Sequence, residues 1–412
     1  MSIVKRRNLK IANPAMLDDG ILVKNAMKLI KDSDYYDQVI EAFDVEALKN
    51  DFIEIKGAQG LVDTLIEADE EYEKIDIDSL LSNVRLDKYT EDKQIILEIS
   101  NIKDKSILTK TTSDMIRAES LYSVRSEYLN MFGIDKYLEF CQANDFQDII
   151  DANIDMLNDK ADNNKKSKKF RLLKDEEDSK YYVRGITSTN VYRDYNLRFS
   201  LFIALIQLHK LSKYKGSNFY VHSYSLTESD LQVIFKTTKT NQVSKDTKIG
   251  FALELVNDEI KRDAVKFNGV FTVFMGQQEV YVKPEETKSS ILSFSHSIGI
   301  EKLQERLSTL YIVINDFINS TIEDAKKIKV LTAPDLFREH LLMKVQFSKN
   351  AEFNKLYRSQ IQSMLSNKVR TIFELATIFD KIELLIEDEH ISSLDFWRYK
   401  LYQVLMDEVK KG

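Results

Sequence analysis

Nine side chains between Lys165 and Arg198 carry the most distinctive chemistry in this 412-residue sequence: Lys165, Lys166, Lys168, Lys169, Arg171, Arg184, Tyr192, Arg193 and Arg198. From Asp159 to Lys174 seven basic residues stand against two acidic ones, Asp159 and Asp162. Lysine ammonium groups neutralise phosphates as point charges, and tyrosine rings (Tyr181, Tyr182, Tyr192, Tyr195) offer faces on which bases stack. Together these are the chemistry of single-strand nucleic-acid binding. A plainer account fits the same residues: Asp162 to Ser167 reads as a solvated loop, and tyrosines serve as cross-strand pairs in a sheet.

Other constellations are weaker. The five histidines (His209, His222, His296, His340, His390) never fall within four residues of one another, so none forms a local metal pair. His222 and His296 are the two that a central module would bring together. Ser188 lies near Arg184 and Tyr192, yet no Gly-x-Ser-x-Gly elbow surrounds it; a turn or helix-cap role is expected for Ser188 and Thr189. Phe52 to Gly57 has the Glu-x-Lys form (Glu54, Lys56) of a metal-dependent nuclease strand. Such a site needs an aspartate on a neighbouring strand, with the lysine steadying the attacking water. The surroundings read as helical and offer no hairpin to supply that aspartate. Asn257, Asp258, Glu259 and Asp263 present oxygens to a hard cation, or form a polar turn. The single cysteine, Cys141, rules out an internal disulfide and follows Tyr137 to Phe140 at helical spacing, as a buried small residue would. No phosphate loop, dinucleotide fingerprint or His-Glu-x-x-His occurs, which removes ATPase, Rossmann oxidoreductase and zincin readings. No catalytic residue, metal or cofactor is assigned.

The composition is that of a globular protein with a sizeable core: 43% hydrophobic and 30% charged residues. A net charge of −7 argues against wholesale coating of nucleic acid but leaves room for a local basic groove. Of the 59 basic residues 44 are lysine, which favours backbone contact over base readout. No apolar segment follows the basic Met1 to Lys10, and the longest apolar run, Leu197 to Leu211, is too short and polar for a bilayer. A reducing, cytoplasmic setting is the expectation.

Three prolines and 11 glycines in the whole chain imply much helix. Residues 18 to 86 read as short helices, Gln94 to Ile99 as a strand, and 113 to 158 as helices. Phe170 to Leu173 and Tyr181 to Ile186 flank Asp175 to Ser179 as a hairpin would. A helix is expected over Leu197 to Lys213. Strands are expected over Asn218 to Ser225, Asp230 to Thr238, Lys248 to Asn257 and Ala264 to Val282, with turns at Glu228 to Asp230 and Asn241-Gln242. After Gly299 the chain reads as helical, with one long helix over Glu301 to Lys329 and a helix starting at Pro334 after Thr332. The expected fold is α+β: a central antiparallel sheet with a packed helix, flanked by N-terminal and C-terminal helical regions. The expected division is a helical region 1–160, a central module 161–299 and a helical region 300–412.

Three segments of the central module resemble the phage/plasmid-like protein family of phages, plasmids and prophages. Arg184 to Tyr192, followed by Asp194-Tyr195-Asn196 and an apolar helix, is similar to the family's Arg-x-x-x-Ser-x-x-Tyr segment, with the tyrosine one residue later. Ile249 to Glu259 resembles its Gly-to-Asn-x-Glu strand, and His296-Ser297-Ile298-Gly299 its His-x-x-Gly turn. Where the family carries a cysteine-containing segment, Phe274 to Glu279 has none. The resemblance covers about 120 residues. It implies a mobile-element origin and no defined reaction, with a layout distantly like that of single-strand annealing proteins. The expectation is therefore a non-enzymatic phage or mobile-element protein of an infected or element-carrying bacterial host. It would bind or anneal single-stranded nucleic acid through the nine residues above, as a homo-oligomer. Two alternatives stand beside it: a protein-protein interaction factor (a virion component or an inhibitor of a host defence system), and a metal-dependent nuclease.

Overall fold

The structure, a computed structural model, describes residues 4–10, 14–102, 114–161, 165–175, 180–243, 248–260, 264–275, 278–284, 289–327, 333–387 and 391–410. Among them run the strands β1 (Arg7–Lys10), β2 (Ile21–Leu22), β3 (Phe52–Ile53), β4 (Glu73–Leu80), β5 (Val84–Tyr89), β6 (Ile95–Ile99), β7 (Ile116–Ser120), β8 (Ser167–Lys174), β9 (Tyr181–Thr187), β10 (Phe219–Leu226), β11 (Asp230–Gln242), β12 (Lys248–Asp258), β13 (Val265–Met275), β14 (Gln278–Val282) and β15 (Ser290–Phe294). The chain builds two compact units. One comprises Glu67–Asp194 with Met1–Lys5 and Asp258–Asp263; the other comprises Arg6–Ile66, Tyr195–Asn257 and Ala264–Gly412.

The first unit is a six-stranded sheet in the order β4-β8-β9-β7-β6-β5, antiparallel except for the parallel pair β7 and β9. In β4 isoleucine alternates with aspartate, so Ile75 and Ile77 are buried while Asp76 and Asp78 point to the opposite face. Phe170 of β8 stands opposite Ile77, and Leu172 opposite Ile75. This apolar face packs with residues of the helices Val124–Asn130, Asp135–Ala143 and Gln147–Ala161 into one core that includes Tyr128, Leu138, Cys141 and Ile154. Buried Asn158 fills the ladder irregularity at Leu86, accepting from its N–H (2.8 Å) and donating to its carbonyl (2.9 Å).

Two expectations change here. Glu73–Leu80, Val84–Tyr89 and Ile116–Ser120 are strands rather than helices, because the apolar period is two; the strand expected at Gln94 to Ile99 is present as β6. The β8–β9 hairpin forms as expected, with Asp175 N–H donating to the Lys180 carbonyl at 2.8 Å. Yet it completes a sheet with residues 73–120, not with the strands that follow it. The three-part division therefore gives way to two units, each built from separated stretches of chain.

The second unit carries a seven-stranded antiparallel sheet, β1-β10-β11-β12-β13-β14, with β15 also on β13. The helix Leu197–Lys215 is buried on nearly every side over its first three turns, as its unbroken apolar sequence requires. Its N-cap is Asn196, whose side chain accepts from Phe199 N–H at 2.8 Å, and not Ser188 or Thr189; Gly216 ends it in the left-handed conformation at φ 64°. The 264–282 segment is two strands, β13 and β14, rather than one. The long helix expected over Glu301 to Lys329 is broken at Thr309 into Ile300–Ser308 and Leu310–Lys327. Pro334 opens Pro334–Gln346 as expected, with Ala333 at the cap; Thr332 lies outside the described residues. Further helices are Ala351–Leu356, Arg358–Leu365, Ile372–Glu387 and Ile391–Lys410. The fold class is α+β, with large antiparallel sheets and flanking helical regions.

Candidate nucleic-acid interface and the ion network beside it

The lysine cluster opens β8. Lys165 and Lys166 are exposed, and Lys168 and Lys169 are half-buried on the strand. Strand register sets an acidic partner opposite several of the bases that follow. Lys169 is opposite Asp78, with Nζ 4.0 Å from Oδ1; Arg171 is opposite Asp76; Lys174 is opposite Glu73, with Nζ 2.8 Å from Oε2. Lys168 is opposite the uncharged Ser79. The half-exposed Lys169 pair is long and solvated, and adds little to stability.

Arg171 and Arg184 do not belong to a phosphate-binding surface. They are 2% and 1% exposed. Arg171 Nε lies 3.3 Å from Asp76 Oδ1, and its Nη2 lies 2.9 Å from Asp194 Oδ1. Its Nη1 donates to the Glu259 carbonyl and to the Tyr192 hydroxyl, the latter at 3.3 Å. Arg184 Nη1 pairs with Glu259 Oε1. Lys74 Nζ reaches the same oxygen at 2.8 Å and Asp69 at 2.5 Å. The Tyr192 hydroxyl donates to the Glu259 carbonyl, and its ring centre lies 5.5 Å from the Arg171 guanidinium carbon. Arg193 is half-buried. Arg198 belongs to the second unit, where its Nη2 lies 3.5 Å from the Ile66 carbonyl.

The three cations and four carboxylates of this network nearly cancel. Burial pushes the Glu259 carboxyl up, but Lys74, Arg184 and Arg171 pull harder, and it sits well below the usual carboxylate range. Burial disfavours the Arg171 charge too, and Asp194, Asp76 and Glu259 more than restore it. Burial also drives the Tyr192 hydroxyl above its ordinary range, so it stays a donor. A carboxylate so committed to cations is a poor base, and a tyrosine so protonated is a poor nucleophile. The network holds the Asp258–Ile260 segment against β8 and β9. Gly185 of β9 leaves room for it: a methyl there would lie 3.1 Å from Ile260 Cβ.

The other candidates are placed one by one. The expected oxygen ligands separate: Asn257 donates to the Tyr195 carbonyl (2.9 Å) and Ser200 Oγ (2.7 Å), Asp258 accepts from Ile260 N–H (2.9 Å), Glu259 is in the network, and Asp263 lies outside the described residues. Glu54 and Lys56 are exposed. Asp18 instead accepts from the N–H groups of Gly57 (3.1 Å), Gln59 (3.3 Å) and Gly60 (2.9 Å), where the helix Ala58–Glu70 starts. No group of three or more His, Cys, Asp or Glu side chains is arranged to hold a metal among the described residues. His209 pairs with Asp51 at 3.1 Å; His222 packs on Tyr281 (4.8 Å) and His296 on Tyr195 (6.1 Å), so each has its own aromatic neighbour. His390 lies outside the described residues.

The second unit has a comparable buried cluster. Glu254, fully buried in β12, accepts from Gln232 Nε2 (2.5 Å), Asn268 Nδ2 (2.9 Å) and Lys283 Nζ (2.6 Å); Lys283 also pairs with Asp395, and Arg398 Nε with Glu383 at 3.2 Å. It ties the helices Ile372–Glu387 and Ile391–Lys410 to the sheet. Of the sequence-selected site residues, then, Lys165 and Lys166 are exposed ahead of β8 and Lys168 and Lys169 half-buried on it, while Arg171, Arg184 and Tyr192 converge on Glu259. The partners that sequence reasoning missed are Asp69, Lys74 and Asp76, and Glu259, read there as a cation ligand or turn residue, is the acceptor of this network. The alternation of Asp76 and Asp78 with isoleucine was the available signal for one of them. No family model, curated protein or solved structure matches this chain.

Proposed function

We propose that this chain is a non-enzymatic nucleic-acid-binding protein of a phage or related mobile element, and that it contacts the backbone of single strands through Lys165, Lys166, Lys168 and Lys169. One observation carries the reading. Lys165 and Lys166 are exposed just ahead of β8 and Lys168 and Lys169 are half-buried at its start, whereas Arg171 and Arg184 are consumed by internal carboxylates. A lysine cluster at the surface is suited to phosphate neutralisation without base readout. The resemblance to the phage/plasmid-like family supports the mobile-element origin; a cytoplasmic setting in the host cell and assembly as a homo-oligomer are part of the same proposal. No described helix is long and apolar enough to cross a membrane.

The test is binding of a labelled single-stranded oligonucleotide across a salt series. Four neutralised phosphates predict a slope of log K against log salt of about −3. Alanine at Lys165, Lys166, Lys168 and Lys169 should flatten that slope and leave the unfolding transition in place. Absence of binding at low salt, or the same slope in the variant, would overturn the proposal.

A further inference from the structure

Between the helices Arg358–Leu365 and Ile372–Glu387, a groove of about 570 Å³ opens on the second unit. Its floor is apolar, made by Met364, Val369 and Ile378. Phe373 stands at its edge with 66% of its surface exposed. Lys368, Arg370 and Lys381 are exposed around the rim. Phe373, Thr377 and Lys381 recur every fourth residue, so the apolar edge and the cation share one stripe of the helix.

Among the described lining residues the one acid is Glu374, and it is committed; Asp335 lies beside the groove, accepting from Val369 N–H at 3.0 Å and pairing with Arg338 at 2.7 Å. Glu374 Oε2 accepts from Arg370 N–H at 2.6 Å and Thr371 N–H at 3.3 Å, while Thr371 Oγ1 accepts from Glu374 N–H at 3.1 Å. This reciprocal cap fastens the helix start, and three cations stand against one acid among the lining residues, in a chain whose net charge is −7. The groove volume is in the range that takes a small ligand or a few side chains.

We infer that the groove docks an acidic peptide segment of a partner protein, with one apolar side chain seated on Met364, Val369 and Ile378 against Phe373, and carboxylates on Lys368, Arg370 and Lys381. Charge complementarity selects this occupant. A nucleic-acid strand would stack a base on Phe373 and set phosphates on the cations, but it would leave the aliphatic floor of Met364, Val369 and Ile378 unfilled.

The experiment is fluorescence anisotropy on the full-length chain. The probe is a short labelled synthetic peptide of Asp and Glu around a central Leu-Phe pair. A control replaces the acids by lysine, and another replaces Leu-Phe by serine. The acidic apolar peptide should bind and both controls should fail. The exposed-site variant K368E/R370E/K381E should weaken binding by about tenfold or more, and F373S by about fivefold. Lys165 to Lys169 are intact in both variants, so oligonucleotide binding there reports separately. Four outcomes would each overturn the inference: no binding of the acidic peptide, equal binding of the lysine control, equal binding by the rim variant, or binding that follows neither Phe373 nor the cations. Oligonucleotide binding lost in K368E/R370E/K381E would reassign the groove to nucleic acid. Self-association lost in that variant, without peptide binding, would reassign it to a second copy.

Discussion

At the scale of single residues, Glu259 is the most constrained side chain of the first unit. It is 1% exposed and faces Lys74 and Arg184 at one oxygen. Removing one partner of a buried pair leaves the others charged in a poor solvent, so Glu259→Ala should cost about 3–5 kcal/mol in urea unfolding. Replacing Arg184 by methionine in the same chain should recover part of that loss, because the stranded charge goes too. The pH dependence follows from the same pairing. The folded carboxyl titrates below the unfolded one, so its contribution is complete above an unfolded value of about 4.3 and fades as pH falls through it toward the lower folded value. Unfolding midpoints of the parent chain should therefore drop on acidification below about pH 5, and those of Glu259→Gln should drop less. An equal drop in both would show that other carboxylates dominate. The burial of Arg171 and Arg184 was not legible in the sequence. Their partners Asp76 and Glu259 lie 95 and 75 residues away; strand register brings Asp76 to Arg171, and the return of the chain after β12 brings Glu259 to Arg184.

At the scale of elements, legibility followed the length of the apolar pattern. The helix Leu197–Lys215 and the strands β10 to β12 are long, and their extended apolar runs identified them. β4 was misread because two isoleucines and two aspartates fit a helix almost as well as a strand; the pairing with β8 decides it. β1 and β15 are four and five residues long, and sheet neighbours define them more than propensity does. Close packing supplies a test at this scale. Gly269 of β13 faces Phe317 of the helix Leu310–Lys327, and a methyl at Gly269 would come within 2.5 Å of Cζ and 2.7 Å of Cδ1. Gly269→Ala should lower stability by about 1–3 kcal/mol, read as a lower thermal midpoint. Combined with Phe317→Leu, its cost should be less than additive. Additive losses would mean that the ring moves aside freely.

At the scale of the whole molecule, the first unit is assembled from separated stretches of chain, and the stretch Asp258–Asp263 brings Glu259. The fragment Glu67–Asp194 alone would retain the six strands but strand Lys74, Arg171 and Arg184 beside an absent carboxylate. Its urea midpoint should lie below that of the same fragment carrying Arg184→Met. A parent fragment that is the more stable of the two would show that Glu259 is dispensable. The division into units escaped the sequence because no glycine-rich or proline-rich linker marks it. The boundaries fall at Asp194 and Asp258, inside segments dense with ordinary side chains.

That discontinuity also orders events on the ribosome. The chain leaves the first unit at Asp194 and returns at Asp258 only after β10, β11 and β12 have been made. At ordinary translation speeds the interval is on the order of several seconds, long compared with the closing of a small domain. Throughout it, two arginines that end up sealed from water wait beside a hydrated gap. The nascent first unit is thus a half-finished lock whose key arrives late, and this interval is when a chaperone would have most to hold.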